Sequence, residues 1–248
     1  MNFKDKVILV TGAADGIGKG IAIRFAECDG FVIATDINRE KGEELVGSLK
    51  DDNKKADFIY MDVSDIEKIK SVVSELINRY KKIDILVNNA GICPIKSYKE
   101  ITLSEWDKVI RINLASVFFI TKEISKYMEQ RRYGKIVNIS SVAAKMGGIN
   151  VGPHYVASKG GMEALTRYFA RNLAKYNINV NAVSMSTTNT NLIKNWDKKI
   201  IKGIIENTPL KRIANIDDVA NIVLFLSSEK SSFITGEVVN VNGGLYMD

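Results

Sequence analysis

The 248-residue chain is 46% hydrophobic and 26% charged with a formal charge of +6, an ordinary globular balance, and no apolar run approaches the ~18–20 residues that cross a bilayer. Its pI is near 9.1, but lysines and acids alternate (EKGEELVGSLKDDNKK) without a basic block interleaved with aromatics, which argues against nucleic acid as a partner and leaves room for an acidic small-molecule ligand. The start MNFKDKVILVTG lacks a signal-peptide layout, and two cysteines, Cys28 and Cys93, cannot build a disulfide framework; a cytoplasmic protein with no membrane partner is expected.

Short runs rich in Val and Ile recur along the chain: Lys6–Val10, Phe31–Thr35, Phe58–Met61, Ile83–Val87, Lys135–Ile139, Val180–Val183 and Val238–Val241. Amphipathic stretches separate them. Ile17, Ile21 and Phe25 share one helical face, and Thr102 with Glu105 forms a capping box ahead of a long helix, Ser104–Gln130. Strand–helix alternation predicts an α/β fold: a single-domain, doubly wound parallel sheet of Rossmann type, about seven strands with helices on both faces. Without repeats, low-complexity segments or a Pro/Gly linker, residues 1–248 read as one domain.

The first strand runs into Thr11-Gly12-Ala13-Ala14-Asp15-Gly16-Ile17-Gly18. Glycines between a strand and a helix let a pyrophosphate approach the backbone and the helix N-terminus, and a tight turn would need them too. Asp36 ends the second strand, 24 residues after Gly12. A carboxylate there accepts hydrogen bonds from the ribose hydroxyls and repels a 2′-phosphate, so NAD is expected over NADP. Asp62-Val63 follow the third strand and Asn88-Asn89-Ala90-Gly91 the fourth. Asn113 lies in the long helix, Ser140-Ser141 close the fifth strand, and Tyr155-Val156-Ala157-Ser158-Lys159 open a later helix.

In this order and over Lys4 to about Gly244, the chain resembles the short-chain dehydrogenase/reductases. Thr11–Gly18, Asn88–Gly91, Tyr155–Lys159, Ile234-Thr235-Gly236 and Val241-Asn242-Gly243-Gly244 carry the likeness. Only Tyr155 among nine tyrosines has Lys four residues on, a spacing that places both side chains on one helix face. An ammonium there would lower the phenol pKa from ~10 toward neutrality, as a general acid/base requires. The resemblance implies that Ser141 holds the substrate oxygen, that Lys159 also binds the nicotinamide ribose, and that Asn113 supports a proton-relaying water chain. Ser140 competes for the serine role but points the other way on an extended segment. Gly12, Asp15, Gly16, Ile17, Gly18, Asp36, Asp62, Val63, Asn89, Ala90, Gly91, Tyr155 and Lys159 are the expected cofactor contacts. The resemblance also implies a homotetramer, its interface using Phe118, Phe119, Leu165, Phe169 and Leu173. No metal site is expected, since His154 is the only histidine; it shapes a pocket wall. Cys93 reads as a buried thiol near the same pocket.

The stretch NAVSMSTTNTNL, residues 181–192, departs from the family pattern. Met185 and Ser186 replace the usual Pro-Gly, which predicts a less pre-organised loop. Thr188 and Thr190 are candidate donors to the nicotinamide carboxamide. Ile193, Trp196, Ile200 and Ile204 then recur at helical spacing, as in a substrate lid near residues 186–210. The polar loop and Asp36 favour an NAD-dependent dehydrogenase of a sugar, polyol or small hydroxy compound. The rival is a 3-oxoacyl-thioester reductase, for whose acidic carrier Arg131-Arg132 would matter. A non-catalytic dinucleotide sensor fits less well, since it needs no acid–base pair.

Overall fold

The computed structural model describes residues 1–148, 151–193 and 196–248, with the Leu192 side chain left aside. Seven strands form one sheet in the order β3-β2-β1-β4-β5-β6-β7: β1 Val7–Thr11, β2 Phe31–Asp36, β3 Ala56–Tyr60, β4 Ile85–Asn88, β5 Gly134–Ser141, β6 Ile178–Met185 and β7 Val238–Val241. Every neighbouring pair is parallel. All seven predicted strands are present. The continuous apolar runs follow from burial on both faces.

On one face, Ile8 and Val10 of β1 pack with Ile21 and Phe25 of α1 (Gly16–Glu27), Leu45 of α2 (Arg39–Asp51) and Val223 of α9 (Ile216–Leu226). On the other, Val7 and Leu9 join Val73 of α3 (Ile66–Tyr80), Ile124 of α5 (Ser116–Arg131) and Phe169 of α7 (Pro153–Leu173). The order reverses between β1 and β4, so a crevice opens beyond the C-terminal ends of those strands, where ligands of such sheets bind.

The predicted helix Ser104–Gln130 is interrupted. The Thr102–Glu105 capping box starts α4 (Leu103–Ile110), then a π-helical turn, Arg111–Ala115, precedes α5. Periodicity cannot register one inserted residue, and such bulges gather at functional positions. This one carries Asn113. At the opposite end of the sheet, Asp84 accepts from the Val7 amide at 2.8 Å and pairs with Arg131 at 2.6 Å. Arg132 donates to the Lys175 carbonyl there. Both arginines therefore sit at the start of β5, the far end of that strand from Ser141. No described helix is long and apolar enough to cross a membrane.

Candidate active site

Two adjoining cavities occupy the crevice. The first is a groove of about 400 Å³. Every expected cofactor contact borders it except Thr188. Its floor is the β1–α1 turn, where Gly12 and Gly16 have φ of +65° and +54°, values that favour glycine. A Cβ on Gly12 would lie 2.8 Å from Ala90 Cα, so the turn packs directly on the strand-4 loop. Thr11 Oγ1 accepts from the Asn89 and Ala90 amides at 3.0 and 3.1 Å, and Asn89 Nδ2 donates to the carbonyls of Thr11 and Gly12 at 2.9 Å each. Asp36 Oδ2 accepts from the Ala14 amide at 3.0 Å, which ties the end of β2 to the same turn. Asp62 Oδ1 accepts from the amide and hydroxyl of Ser64, holding that carboxylate at the groove. A glycine cradle at a helix N-terminus with a carboxylate at the end of β2 fits a dinucleotide.

Tyr155 and Lys159 sit where the groove meets the second cavity. Gly152 caps α7 and Pro153 occupies its first turn, a position where the missing N–H costs nothing. Ser158 Oγ donates to the Tyr155 carbonyl at 2.7 Å, and Asn113 Nδ2 donates to Ser158 Oγ at 3.2 Å. Asn113 also exchanges both bonds with the Ile92 backbone, at 2.9 and 2.8 Å, so the π turn is clamped to the strand-4 loop. Lys159 Nζ donates to the Ile139 carbonyl at 2.6 Å and lies 5.7 Å from the Tyr155 ring centroid. Ser140 Oγ turns away from the cavities to Glu163 Oε1 at 2.9 Å, whereas Ser141 lines the second cavity. Ser141 is thus the serine that faces the cavity.

Electrostatics differ from the expectation. Burial pushes the Tyr155 phenol above its ordinary value, and Cys93 adds to the rise while Ser141 opposes it. Burial also lowers Lys159 to about 8. Desolvation disfavours the charged form of each group. The site thus holds a protonated phenol, ready to donate.

The second cavity, about 310 Å³, has Ser141 and Tyr155 at its base. Its walls are Val142, Met146, Val151 and Met185, then Ile193 and Trp196, with Ile200 and Ile204 of α8 (Lys198–Asn207). Ser186, Thr187, Thr188 and Thr190 of the polar run also line it. Thr188 is buried and its hydroxyl donates to the Ser186 carbonyl at 3.2 Å; it borders this cavity, while Thr190 borders both. The loop is also pinned without Pro-Gly. Ser186 N donates to Val241 O at 3.2 Å, Ala214 N to Thr187 O at 3.1 Å, and Asn189 N to Ala214 O at 2.9 Å. Of the expected lid, Lys194 and Asn195 lie outside the described residues.

His154 is buried with neither ring nitrogen paired, and it borders neither cavity; the expected wall position is corrected. Cys93 borders both, and burial raises its thiol to about 11. Met146, Val151, Lys41 and Asn191 were missed. Lys41 pairs with Asp15 at 2.6 Å, and Asn191 Nδ2 donates to Asp15 Oδ1 at 2.9 Å. No local pattern announces contacts of this range. Among the described residues, no three His, Cys, Asp or Glu could hold a metal ion together.

A family model described as enoyl-(acyl carrier protein) reductase matches residues 12–246. The chain is 39% identical over 246 residues to the 3-oxoacyl-[acyl-carrier-protein] reductase FabG of Thermotoga maritima, covering 99% of each protein. It is 39% identical over 248 residues to the like-named protein of Buchnera aphidicola, covering all of both. The crystal structure of 3-oxoacyl-[acyl-carrier protein] reductase from Brucella melitensis superposes with a TM-score of 0.94 at 33% identity, covering 100% of this chain and 93% of that one.

Proposed function

The chain belongs to the short-chain dehydrogenase/reductase family and is thus an NAD(P)-dependent oxidoreductase acting on CH–OH groups; from that premise we propose that it reduces the 3-oxo group of an acyl thioester. The observation that carries this reading is the apolar wall beside Ser141 and Tyr155. An acyl chain is stabilised there by about 0.8 kcal/mol per buried CH₂, and the apolar side chains of that wall offer a sugar no hydrogen bonds. The names of the relatives support the same substrate class, so the sugar or polyol expectation gives way to its rival. Arg131 and Arg132 take no part in the argument, being at the far end of β5.

Ser141 Oγ and the Tyr155 hydroxyl hold the substrate carbonyl oxygen, and Tyr155 gives it a proton as it becomes a hydroxyl. The phenol is protonated at neutral pH, as a proton donor must be. A bound nicotinamide supplies the hydride for the carbonyl carbon. Lys159 holds the nicotinamide ribose, and Asn113 fixes Ser158 and the strand-4 loop around the proton path. Asp36 accepts from the adenosine ribose hydroxyls, and NAD is the preferred cofactor. The lid, near residues 186–210, excludes water by laying Ile200 and Ile204 over the substrate.

The enzyme works in the cytoplasm as a homotetramer, for which half-buried Phe118, Phe119 and Leu165 beside exposed Tyr168 offer the surface; Phe169 and Leu173, expected there, are instead buried in the monomer's own core. A monomer by light scattering at micromolar concentration contradicts that assembly. The functional test offers acetoacetyl and longer 3-oxoacyl thioesters with NADH or NADPH, against a panel of polyols and sugars with NAD, read at the NADH absorbance. Thioester reduction whose kcat/KM rises with chain length is expected. Turnover of polyols with none of thioesters overturns the reading.

A further inference from the structure

The π turn is fastened on two sides. On one, Asn113 holds the Ile92 backbone and Ser158 Oγ. Arg111, two residues earlier, projects to the opposite side, since residues two apart on a helix lie about 200° around its axis. Its Nε donates to the Ser64 carbonyl at 2.7 Å. That carbonyl belongs to the loop after β3, where Asp62 Oδ1 accepts from the Ser64 amide and hydroxyl at 2.8 and 2.7 Å. β3 lies beside β2, and Met61 N donates to Asp36 O at 3.1 Å, so this loop borders the groove at the end assigned to adenosine. Asp62, Val63 and Ile112 line the groove, whereas Arg111 lines neither cavity. Ser116 Oγ donates to Ile112 O at 2.5 Å and braces the turn. Directed bonds thus run from Asp62 through Ser64 to Arg111, and from Asn113 through Ser158 to the Tyr155 carbonyl.

We propose that Arg111 is a positioning residue: it fixes the π turn to the adenosine-side loop, so that a filled adenosine end sets Asn113 against Ile92 and Ser158. This rests on the reading that the groove takes a nicotinamide dinucleotide. Binding energy from the part of a ligand that does not react raises turnover when it holds the reacting groups in place. Here adenosine meets the loop, the loop holds Arg111, and Arg111 steadies the turn that carries Asn113. The adenosine half therefore contributes to kcat as well as to affinity. Arg111 is exposed, so water competes for its bond and the effect is graded.

Two readouts test this, one of them without substrate. In hydrogen exchange, AMP bound to the wild type should slow the amides of 62–65 and also the Ile92 amide, which donates to Asn113 Oδ1. Arg111→Met keeps the aliphatic stem and removes the donor. It should bind AMP within about twofold of wild type and still protect 62–65, yet lose the protection at Ile92. In reduction of an acetoacetyl thioester, replacing NADH by reduced nicotinamide mononucleotide should lower the wild-type kcat, and added AMP should raise it again about five- to tenfold. In Arg111→Met that gain should fall below about twofold, and Arg111→Lys, which still offers a donor, should keep part of it. An Arg111→Met protein with the full gain and full Ile92 protection overturns the proposal. So does a wild type whose Ile92 amide ignores AMP, or loss of AMP affinity in Arg111→Met, which would mark a purely structural role in the loop. If AMP does not bind the wild type, the dinucleotide reading falls, and Arg111's part with it. If thioesters are not reduced while exchange behaves as expected, the substrate reading alone falls and the link through Arg111 stands.

Discussion

Gly18→Ala offers a demanding test of the groove. Gly18 is the third residue of α1, and a Cβ there would lie 2.1 Å from Gly12 O and 2.5 Å from Asn89 Nδ2. Neither neighbour is the loose end of a flexible side chain. Gly12 is locked in a left-handed turn, and Asn89 Nδ2 holds two carbonyls at 2.9 Å. Relief requires moving the turn or rotating Asn89 away. Overpacking costs about 1–3 kcal/mol, two forfeited hydrogen bonds about 0.5–1.5 each, and alanine's helix preference returns about 0.5–1. The net loss is about 1–5.5 kcal/mol, with a weaker grip on the pyrophosphate. Gly47→Ala is the control. It is exposed on α2 with nothing within 4 Å of the added Cβ, and should gain about 0.5–1 kcal/mol. Urea unfolding and ADP-ribose calorimetry read both. A Gly18→Ala protein within about 1 kcal/mol of wild type, with unchanged ADP-ribose affinity, would refute the reasoning.

Tyr155→Phe should abolish thioester reduction yet leave ADP-ribose affinity unchanged; a variant keeping about a tenth of wild-type kcat removes Tyr155 from the proton path. Asp36→Ala should reduce the preference for NAD over NADP, about tenfold or more in wild type, by weakening NAD and strengthening NADP; equal kcat/KM with both in wild type contradicts the role of Asp36. Because burial holds the Cys93 thiol near 11, its thiolate is scarce at neutral pH and alkylation should climb with pH up to that value; labelling at pH 7.5 as fast as a small free thiol would show the burial argument wrong. Restoring Pro and Gly at Met185 and Ser186 should change NAD affinity by less than about threefold, since strand and loop bonds already pin the segment; a tenfold gain on a titration would show the loop to be loose.

What local pattern carries, the sequence displays. The strands announce themselves because parallel strands buried on both faces must be continuously apolar, and Thr11–Gly18 because a turn with two positive φ values tolerates little but glycine. Ser141 over Ser140 follows from strand alternation. The rest depends on what folding brings near. The polar run does not show that Val241 and Ala214 pin the backbone of 186–189 or that the Thr188 hydroxyl turns to the Ser186 carbonyl. Tyr155 and Lys159 look like an activated pair until burial of both is counted. Nor does a helical stripe reveal that one extra residue at Arg111–Ala115 aims Asn113 at Ile92.

Ile17, Cys93, Tyr155, Met185 and Thr190 border both cavities. The two cavities therefore share these five residues as a common wall. Two ligands that share a wall share its ordering cost: the first to arrive settles it, and the second binds a surface already set. Thermodynamic reciprocity then fixes the traffic. Whatever factor a bound dinucleotide adds to the acyl thioester's affinity, the thioester returns to the affinity of the dinucleotide. The bond from Asn191 to Asp15 ties the segment after Thr190 to the β1–α1 turn at the groove.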